Sequence, residues 1–190
     1  MDRSSVSGVQ ALIDRLDSAV ALGTDAAVAE RIKADLSGLI LARSLGLPER
    51  LVRPRPDCYA RRLLHHDPGQ RYTVVVMTWG PGQGTPLHDH AGMWCVEAVA
   101  QGEMEVTQFD LVEQRGDACR FEEASKVSAG VGSSGCLIPP FEYHTLRNAV
   151  ADRSSVTIHV YGGEMSRCSA FEPLDDGWYR RLERVLQYHE

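Results

Sequence analysis

Residues 80–103 read GPGQGTPLHDHAGMWCVEAVAQGE, and this stretch decides the fold. Its first part is rich in Gly and Pro, which is typical of a turn or loop. The turn leads into His88-Asp89-His90, and residues 94–99 then read as a strand. Residues two apart in a strand point to the same face, so His88 and His90 can bind one metal ion together.

Short strands separated by turns are predicted on both sides of this stretch. Runs of β-branched and aromatic residues, such as TVVVMTW at 73–79, favour strands. Many short strands with Gly-rich turns are typical of an all-β barrel or sandwich. The predicted strands cover residues 72–79, 94–99, 104–111, 136–138 and 155–161.

The first fifty residues differ, because their apolar residues recur at helical spacing. This spacing predicts one helix around 9–20 and a second around 28–40, with Thr24 or Asp25 as the cap of the second. The same spacing returns at 178–188 and predicts a short C-terminal helix.

A length of 190 residues fits a single domain overall. We expect residues 1–52 to form a helical segment packed on the outside of the barrel. Residues 53–190 would then form the barrel and the C-terminal helix. The composition, with 43% hydrophobic and 24% charged residues, is ordinary for a soluble globular protein.

Net charge, apolar runs and cysteine spacing argue against several classes of protein. The net charge of -6 disfavours a nucleic-acid binder, which normally carries a basic excess. No apolar run reaches the ~20 residues of a membrane span, and the first residues, MDRSSVSGVQ, lack a signal peptide. We therefore expect a cytoplasmic protein. Five cysteines without a CxxC pair argue against a disulfide framework and against a zinc ribbon.

The spacing around the histidines matches two known motifs. Gly82, His88, His90 and Gly102 fall on the first cupin motif, G(x)5HxH(x)4E(x)6G, with Cys95 in place of its Glu. His144 and Asn148 match H(x)3N, which is the end of the second cupin motif. The chain therefore resembles the cupins, which implies a mainly β jelly-roll barrel that binds a metal through His88, His90 and His144.

Replacement of the Glu by Cys95 leaves three neutral imidazoles and no carboxylate at this site. Imidazole suits Fe, Zn, Cu and Ni, so the type of ligand alone does not name the metal. Three ligands leave open positions for a substrate and dioxygen. A neutral ligand set also tolerates an anionic substrate such as a thiolate.

A cupin with Cys in place of this Glu resembles the thiol dioxygenases of the cysteine dioxygenase family. The resemblance covers roughly residues 57–170. Its motifs are Cys58-Tyr59-Ala60-Arg61, Trp79-Gly80-Pro81-Gly82, His88-Asp89-His90, Cys95, Gln101-Gly102, His144 and Thr157-Ile158-His159-Val160-Tyr161.

This resemblance implies a role for each matching residue. Arg61 would bind the carboxylate of the substrate, with Tyr59 beside it. The catalytic residues would be Tyr161 and His159, oriented by Thr157, together with Cys95, which matches a cysteine that forms a thioether with the tyrosine in the animal enzymes. His88, His90 and His144 would hold one Fe(II) per chain, and Cys168 would lie near the mouth of the pocket.

The predicted function is oxidation of L-cysteine by dioxygen to cysteine sulfinic acid, with both oxygen atoms on sulfur. The partners are thus a small thiol and dioxygen, and the sequence leaves the oligomeric state open. An alternative is the sister group of 3-mercaptopropionate dioxygenases, whose members commonly have Gln where Arg61 stands. A non-catalytic metal-binding cupin is a third interpretation, although such a protein would not need Arg61, His159 and Tyr161.

Three further expectations concern neighbouring residues. Of Arg61 and Arg62, one is expected to be only a solvated or ion-paired side chain. Asp89 should point away from the metal and have a structural role. His65, His66 and His189 are expected at the surface.

Overall fold

The computed structural model describes residues 3–190, with side chains from residue 7 onward. Two helices come first, α1 at Arg3–Val20 and α2 at Asp25–Leu41. The side chain of Thr24 caps α2 by accepting a hydrogen bond from the amide of Ala27, as the sequence predicts. No helix in the described part of the chain has the length and apolar character needed to cross a bilayer.

The rest of the described chain is mainly strands, and each of the five predicted strands is present with its bounds shifted by a few residues at most, except that the third extends to residue 115. The predicted mainly β, jelly-roll architecture is confirmed. In chain order the strands are β1 Ala60–His66, β2 Thr73–Trp79, β3 Leu87–His88, β4 Cys95–Gln101, β5 Glu103–Arg115, β6 Ala118–Gly130, β7 Ser134–Leu137, β8 His144–Asn148, β9 Ser155–Tyr161, β10 Arg167–Pro173 and β11 Trp178–Val185.

The strands form two antiparallel sheets. The first has the order β1-β2-β9-β4-β7. The second has the order β10-β11-β6-β5-β8-β3 and closes on itself, because β3 pairs with β10 as well as with β8. This arrangement places β3, β8 and β10 side by side, which is where the histidine motifs lie.

The central strands β2 and β9 are buried along their whole length because both of their faces are covered. Side chains alternate along a strand, so one set packs on the helices and the other fills the barrel. Val74 and Ile158 share a hydrophobic cluster with Ile32 and Leu36 of α2. Burial of each such side chain contributes roughly 1.5–3 kcal/mol, which holds the helices against the outer face of the sheet.

The predicted C-terminal helix is wrong. Residues Trp178–Val185 form β11, which pairs with β10 along Arg167–Pro173 and with the start of β6. The spacing of Trp178, Leu182 and Val185 suits a helix, but it is also compatible with a half-exposed strand. Pairing with two open strand edges satisfies the backbone groups of the segment, and this tertiary contact overrides the local pattern.

Candidate metal centre and its pocket

The three predicted metal ligands meet where β3 pairs with β8 in the second sheet. His88 on β3 lies directly opposite His144 on β8 in the antiparallel register. His90 follows two residues later, where Ala91 and Gly92 turn the chain with positive φ angles of 53° and 79°. The ligand atoms of the three histidines lie within 4.8 Å of one another, and they are the only such group of His, Cys, Asp or Glu in the part of the chain that the structure describes.

The hydrogen bonds of these rings show which nitrogens face the centre. His88 Nδ1 lies 3.1 Å from the carbonyl oxygen of Pro86, so Nδ1 carries the proton and Nε2 keeps its lone pair. That Nε2 lies 3.2 Å from His144 Nε2. Two nitrogens that bind one ion at ~2.0–2.1 Å are about 3 Å apart, so this spacing fits a shared metal ion.

The protonation state of the cluster also suits a metal. Burial lowers the pKa of His88, and it lowers the pKa values of His90 and His144 well below the ordinary histidine value. Neighbouring histidines add to the effect for His90 and His144. The rings are therefore neutral, which is the form that binds metal ions.

Two buried carboxylates hold the loop that carries the histidines. Asp89 accepts hydrogen bonds from the amides of Ser169 (2.8 Å) and Ala91 (3.1 Å). Glu142 accepts one from the amide of His90 at 2.9 Å. Asp89 thus has the structural role that the sequence predicts, because it ties the turn after β3 to β10.

A cavity of about 160 Å³, here called the substrate pocket, opens beside His88. Its walls come from both sheets and from the residues after β11. The predicted residues Tyr59, Arg61, His88, His159, Tyr161 and Cys168 all line it, as do Met77, Met165, Arg184 and Leu186. Tyr59 also stacks on Trp79, with ring centroids 4.5 Å apart.

Alternation along β1 separates Arg61 from Arg62. Arg61 is 3% exposed and faces the substrate pocket, where it donates a 2.7 Å hydrogen bond to the carbonyl of Met165. Arg62 points to the other side and donates to the carbonyls of Leu51 and Arg53. A third contact joins Arg62 Nε to the backbone oxygen of Glu190 at 3.2 Å, so Arg62 is a buried side chain and not the solvated one that was expected.

The residues after β11 fold over Arg61, which the sequence does not predict. The ring of Tyr188 lies 4.6 Å from the guanidinium carbon of Arg61. His189 accepts a 3.0 Å hydrogen bond from the amide of Arg61 and donates its own amide to the carbonyl of Arg61 at 2.7 Å. His189 is thus partly buried, because this segment pairs with the start of β1.

A line of hydrogen bonds fixes the ring of His159. Trp79 donates its indole N–H to Thr157 Oγ1 at 2.9 Å, and Thr157 Oγ1 lies 2.7 Å from His159 Nε2. Burial lowers the pKa of His159 to about 3, so the ring is neutral. The ring of His159 lies nearly parallel to that of Tyr161 at 6.0 Å. Thr157 thus orients His159, as the resemblance implies.

Cys95 and Tyr161 lie side by side on neighbouring strands of the first sheet. They are direct partners in the antiparallel register of β4 and β9, and both are buried in one cluster. Side chains of directly opposed residues lie ~4.5–5.5 Å apart at Cβ. Burial raises the pKa of both groups well above their ordinary values, so the thiol and the phenol are neutral.

The sequence motifs do not point to one further buried residue, which is Glu97. It lies on β4 two residues after Cys95 and faces the barrel interior. Burial by itself raises the pKa of Glu97 to about 8, and N–H groups that donate to the carboxylate would lower it again. Strand alternation gives one signal for it, because Glu97 lies on the same face of the strand as Cys95. A Glu among the apolar residues of VEAV is unusual in a buried strand.

Comparisons with known proteins identify relatives of this chain. Cysteine dioxygenase type 1 of Rattus norvegicus is 24% identical to this chain over 116 residues, which cover 60% of the chain and 56% of the relative. The enzyme of the same name from Homo sapiens is 22% identical over 122 residues with the same coverage. The chain spans about half the length of these curated relatives.

Among solved structures, the protein TT1209 from Thermus thermophilus is 20% identical to this chain, with a TM-score of 0.47. The match covers 60% of this chain and 92% of the TT1209 chain. An oxalate oxidase in complex with glycolate is 17% identical with a TM-score of 0.47, and covers 62% of this chain and 59% of its own. The family model described as cysteine dioxygenase type I matches residues 51–173, a segment that contains all three histidines and Arg61. Because this match takes in more than half of the sequence, the chain belongs to the cysteine dioxygenase type I family.

Proposed function

We propose that the protein is a mononuclear Fe(II) thiol dioxygenase that converts L-cysteine and dioxygen to cysteine sulfinic acid. The observation that carries the proposal is that Arg61, a buried cation, lines the same small cavity as His88 of the three-histidine cluster. A carboxylate anchor beside a metal centre suits a small substrate with a carboxylate at one end and a thiol at the other.

The size of the substrate pocket supports a small substrate. Its volume of about 160 Å³ is below the ~300–1,000 Å³ of pockets that take drug-sized ligands. Arg61 has a fixed place there, because Met165 holds one of its nitrogens and Tyr188 covers its face. The rigid fork of an Arg favours a planar carboxylate over a single point charge.

His88, His90 and His144 would hold the ferrous ion, which is expected once per chain. When bound, the iron would supply the redox chemistry and bring the thiolate and dioxygen together. The protein's own part is positioning. Arg61 holds the carboxylate, the three ligands leave open positions for the thiol and dioxygen, and the neutral phenol of Tyr161 can donate a hydrogen bond in the pocket.

A second candidate substrate is 3-mercaptopropionate, which has the same carboxylate and thiol but no amine. None of the described residues that line the substrate pocket is Asp or Glu. The pocket therefore offers no carboxylate to a substrate ammonium group. Arg61 can bind the carboxylate of either compound.

The test is oxygen consumption by the iron-loaded protein with cysteine, 3-mercaptopropionate and cysteamine, compared by kcat/KM. We expect cysteine to be the best substrate and its product to contain two atoms from isotopically labelled dioxygen. Cysteamine lacks a carboxylate and should be the poorest. Consumption of oxygen with none of the three thiols would identify a metal-binding protein without this activity and would overturn the proposal.

A further inference from the structure

Glu97 is a buried acid that the proposed chemistry does not use. Only 8% of the residue is exposed, and in the register of β4 and β9 it lies directly opposite His159. Transfer of a carboxylate into such a place is costly unless hydrogen-bond donors meet it. Its partners therefore have to be found among the groups that surround it.

Three buried polar atoms that have no hydrogen-bond partner among the described residues lie close together at this point. They are Glu97 Oε2, His144 Nδ1 and His159 Nδ1. Glu97 Oε2 lies 3.5 Å from His159 Nδ1, and Glu97 Oε1 lies 3.9 Å from His144 Nδ1. Approaches of about 0.6–1 Å would give ordinary N–H···O bonds, which span ~2.7–3.2 Å.

The hydrogen bonds on the far side of each ring decide which atoms carry protons. Thr157 Oγ1 accepts from Trp79 and lies 2.7 Å from His159 Nε2, so the hydroxyl can donate its own proton to Nε2, and this arrangement puts the proton of His159 on Nδ1. His144 turns Nε2 toward His88, so a metal bound there leaves the proton of His144 on Nδ1. Both Nδ1–H groups face Glu97.

The opposite side of Glu97 offers no other partner of positive charge. It faces an apolar cavity of about 270 Å³, here called the second cavity, whose walls include Val99, Met104, Leu137 and Leu146. None of the described residues that line this cavity is Lys, Arg or His. Glu97 is also outside the group of close ligand atoms, which contains only the three histidines among the described residues.

We propose that Glu97 is a positioning residue whose carboxylate accepts the Nδ1–H groups of both His144 and His159. One side chain would then orient a metal ligand and a pocket residue together. A carboxylate behind a metal-binding imidazole fixes its tautomer and strengthens its binding, and loss of such a partner typically weakens metal affinity ~10–100-fold. The inference rests on the proposed function only for the role of His159 in turnover.

The first experiment measures metal affinity without turnover. Cobalt(II) is titrated anaerobically into the unmutated protein and into Glu97→Gln and Glu97→Leu, and binding is followed by absorption. We expect Glu97→Leu to bind ~10–100-fold more weakly, and Glu97→Gln to lie between, because an amide has one acceptor oxygen for two N–H groups. The matched control is Ser133→Ala, which removes a polar group from the wall of the same cavity at a position that is not paired with a histidine and should bind normally.

The second experiment needs no variant, so a folding failure of the Leu protein cannot confuse it. In the zinc-loaded unmutated protein, nitrogen NMR of the histidine rings should show protons on Nδ1 of both His144 and His159. A proton on Nε2 of His159, or unchanged cobalt affinity in folded Glu97→Leu, overturns the inference. Weakened cobalt binding in a protein that oxidises no thiol would instead reject the proposed function and leave the role of Glu97 standing.

Discussion

Two neighbouring cavities share Leu146 in their walls, and the proposed chemistry belongs to the smaller of the two. The substrate pocket measures about 160 Å³ and brings together Arg61, His88, His159 and Tyr161. The second cavity measures about 270 Å³ and is mostly apolar, with Glu97 as its one described charged residue. The number of converging polar groups, and not the volume, marks a site that can bind and orient a small polar substrate.

The difference follows from the strands that build each wall. The substrate pocket is lined by β1, β9 and the segment around β10 and β11, whose inward positions carry Arg61, Tyr161 and Cys168. The second cavity is lined by β4 and β7 on one side and by the hairpin of β5 and β6, which contributes Val106 and Ala129, on the other. Leu146 lies in the wall of both cavities.

The largest expected effect comes from the metal ligands that adjoin the substrate pocket. His88→Ala should abolish iron binding and thiol oxidation, because only two imidazoles would remain in the cluster. We expect a loss of more than about 100-fold, since even partners behind the ligands contribute ~10–100-fold. Iron content and oxygen consumption measure it. His66→Gln, on the partly exposed end of β1, is the control and should keep both. Full iron and turnover in His88→Ala would reject this site.

Arg61→Ala should come next, with iron retained and kcat/KM for cysteine lowered ~10–150-fold. The reason is that a charge-assisted contact to a carboxylate contributes roughly 1.5–3 kcal/mol. The loss should be much smaller for cysteamine, which has no carboxylate. If the unmutated protein oxidises cysteamine as well as cysteine, Arg61 does not have the assigned role.

Tyr188 tests whether the segment after β11 belongs to the pocket. Tyr188→Ala removes the ring that lies on Arg61, and cation–π contacts contribute ~0.5–2 kcal/mol, so kcat/KM for cysteine should fall ~2–30-fold. Tyr188→Phe keeps the ring over Arg61 and loses only the hydroxyl, so it should stay much closer to the unmutated protein than Tyr188→Ala does. Equal activity of all three proteins would show that Arg61 needs no cover.

Cys95 and Tyr161 test chemistry beside the same pocket, which Tyr161 lines. Their direct opposition on β4 and β9 predicts that turnover with iron and dioxygen joins them by a thioether, with loss of two hydrogen atoms. Peptide mapping by mass spectrometry after turnover should recover the two peptides joined. Recovery of the peptides only separately, with Cys95 open to alkylation, would contradict this prediction but leave the metal site and Arg61 unaffected.

The smallest effect is expected in the second cavity. Ala129→Leu adds apolar volume to its wall, away from the histidines, and should leave kcat/KM for cysteine unchanged. Its effect on the free energy of unfolding should stay within about 1–3 kcal/mol, the usual range for a larger side chain in a packed interior. A large rise of KM for dioxygen in this variant would show that the second cavity serves the reaction, and the contrast between the two cavities would fail.

Much of the site could be predicted because its residues belong to short sequence motifs whose spacing has a structural meaning. The HxH spacing places His88 and His90 together, and the β-branched runs predict β2 and β9. The C-terminal strand could not be predicted in this way. Its apolar residues fit a helix and a strand equally, and the choice depends on β10 and β6, which offer unpaired backbone groups.

By itself, the sequence determined the mainly β barrel, the three histidines and the family resemblance that singled out Arg61, because motif spacing and strand alternation are local properties. Only the tertiary structure decided that Tyr188 covers Arg61 and that Glu97 meets His144 and His159. These residues lie far apart in the chain, and no local pattern links them. Strand register and closure of the barrel bring them together, and register is a property of paired strands that a single segment does not contain.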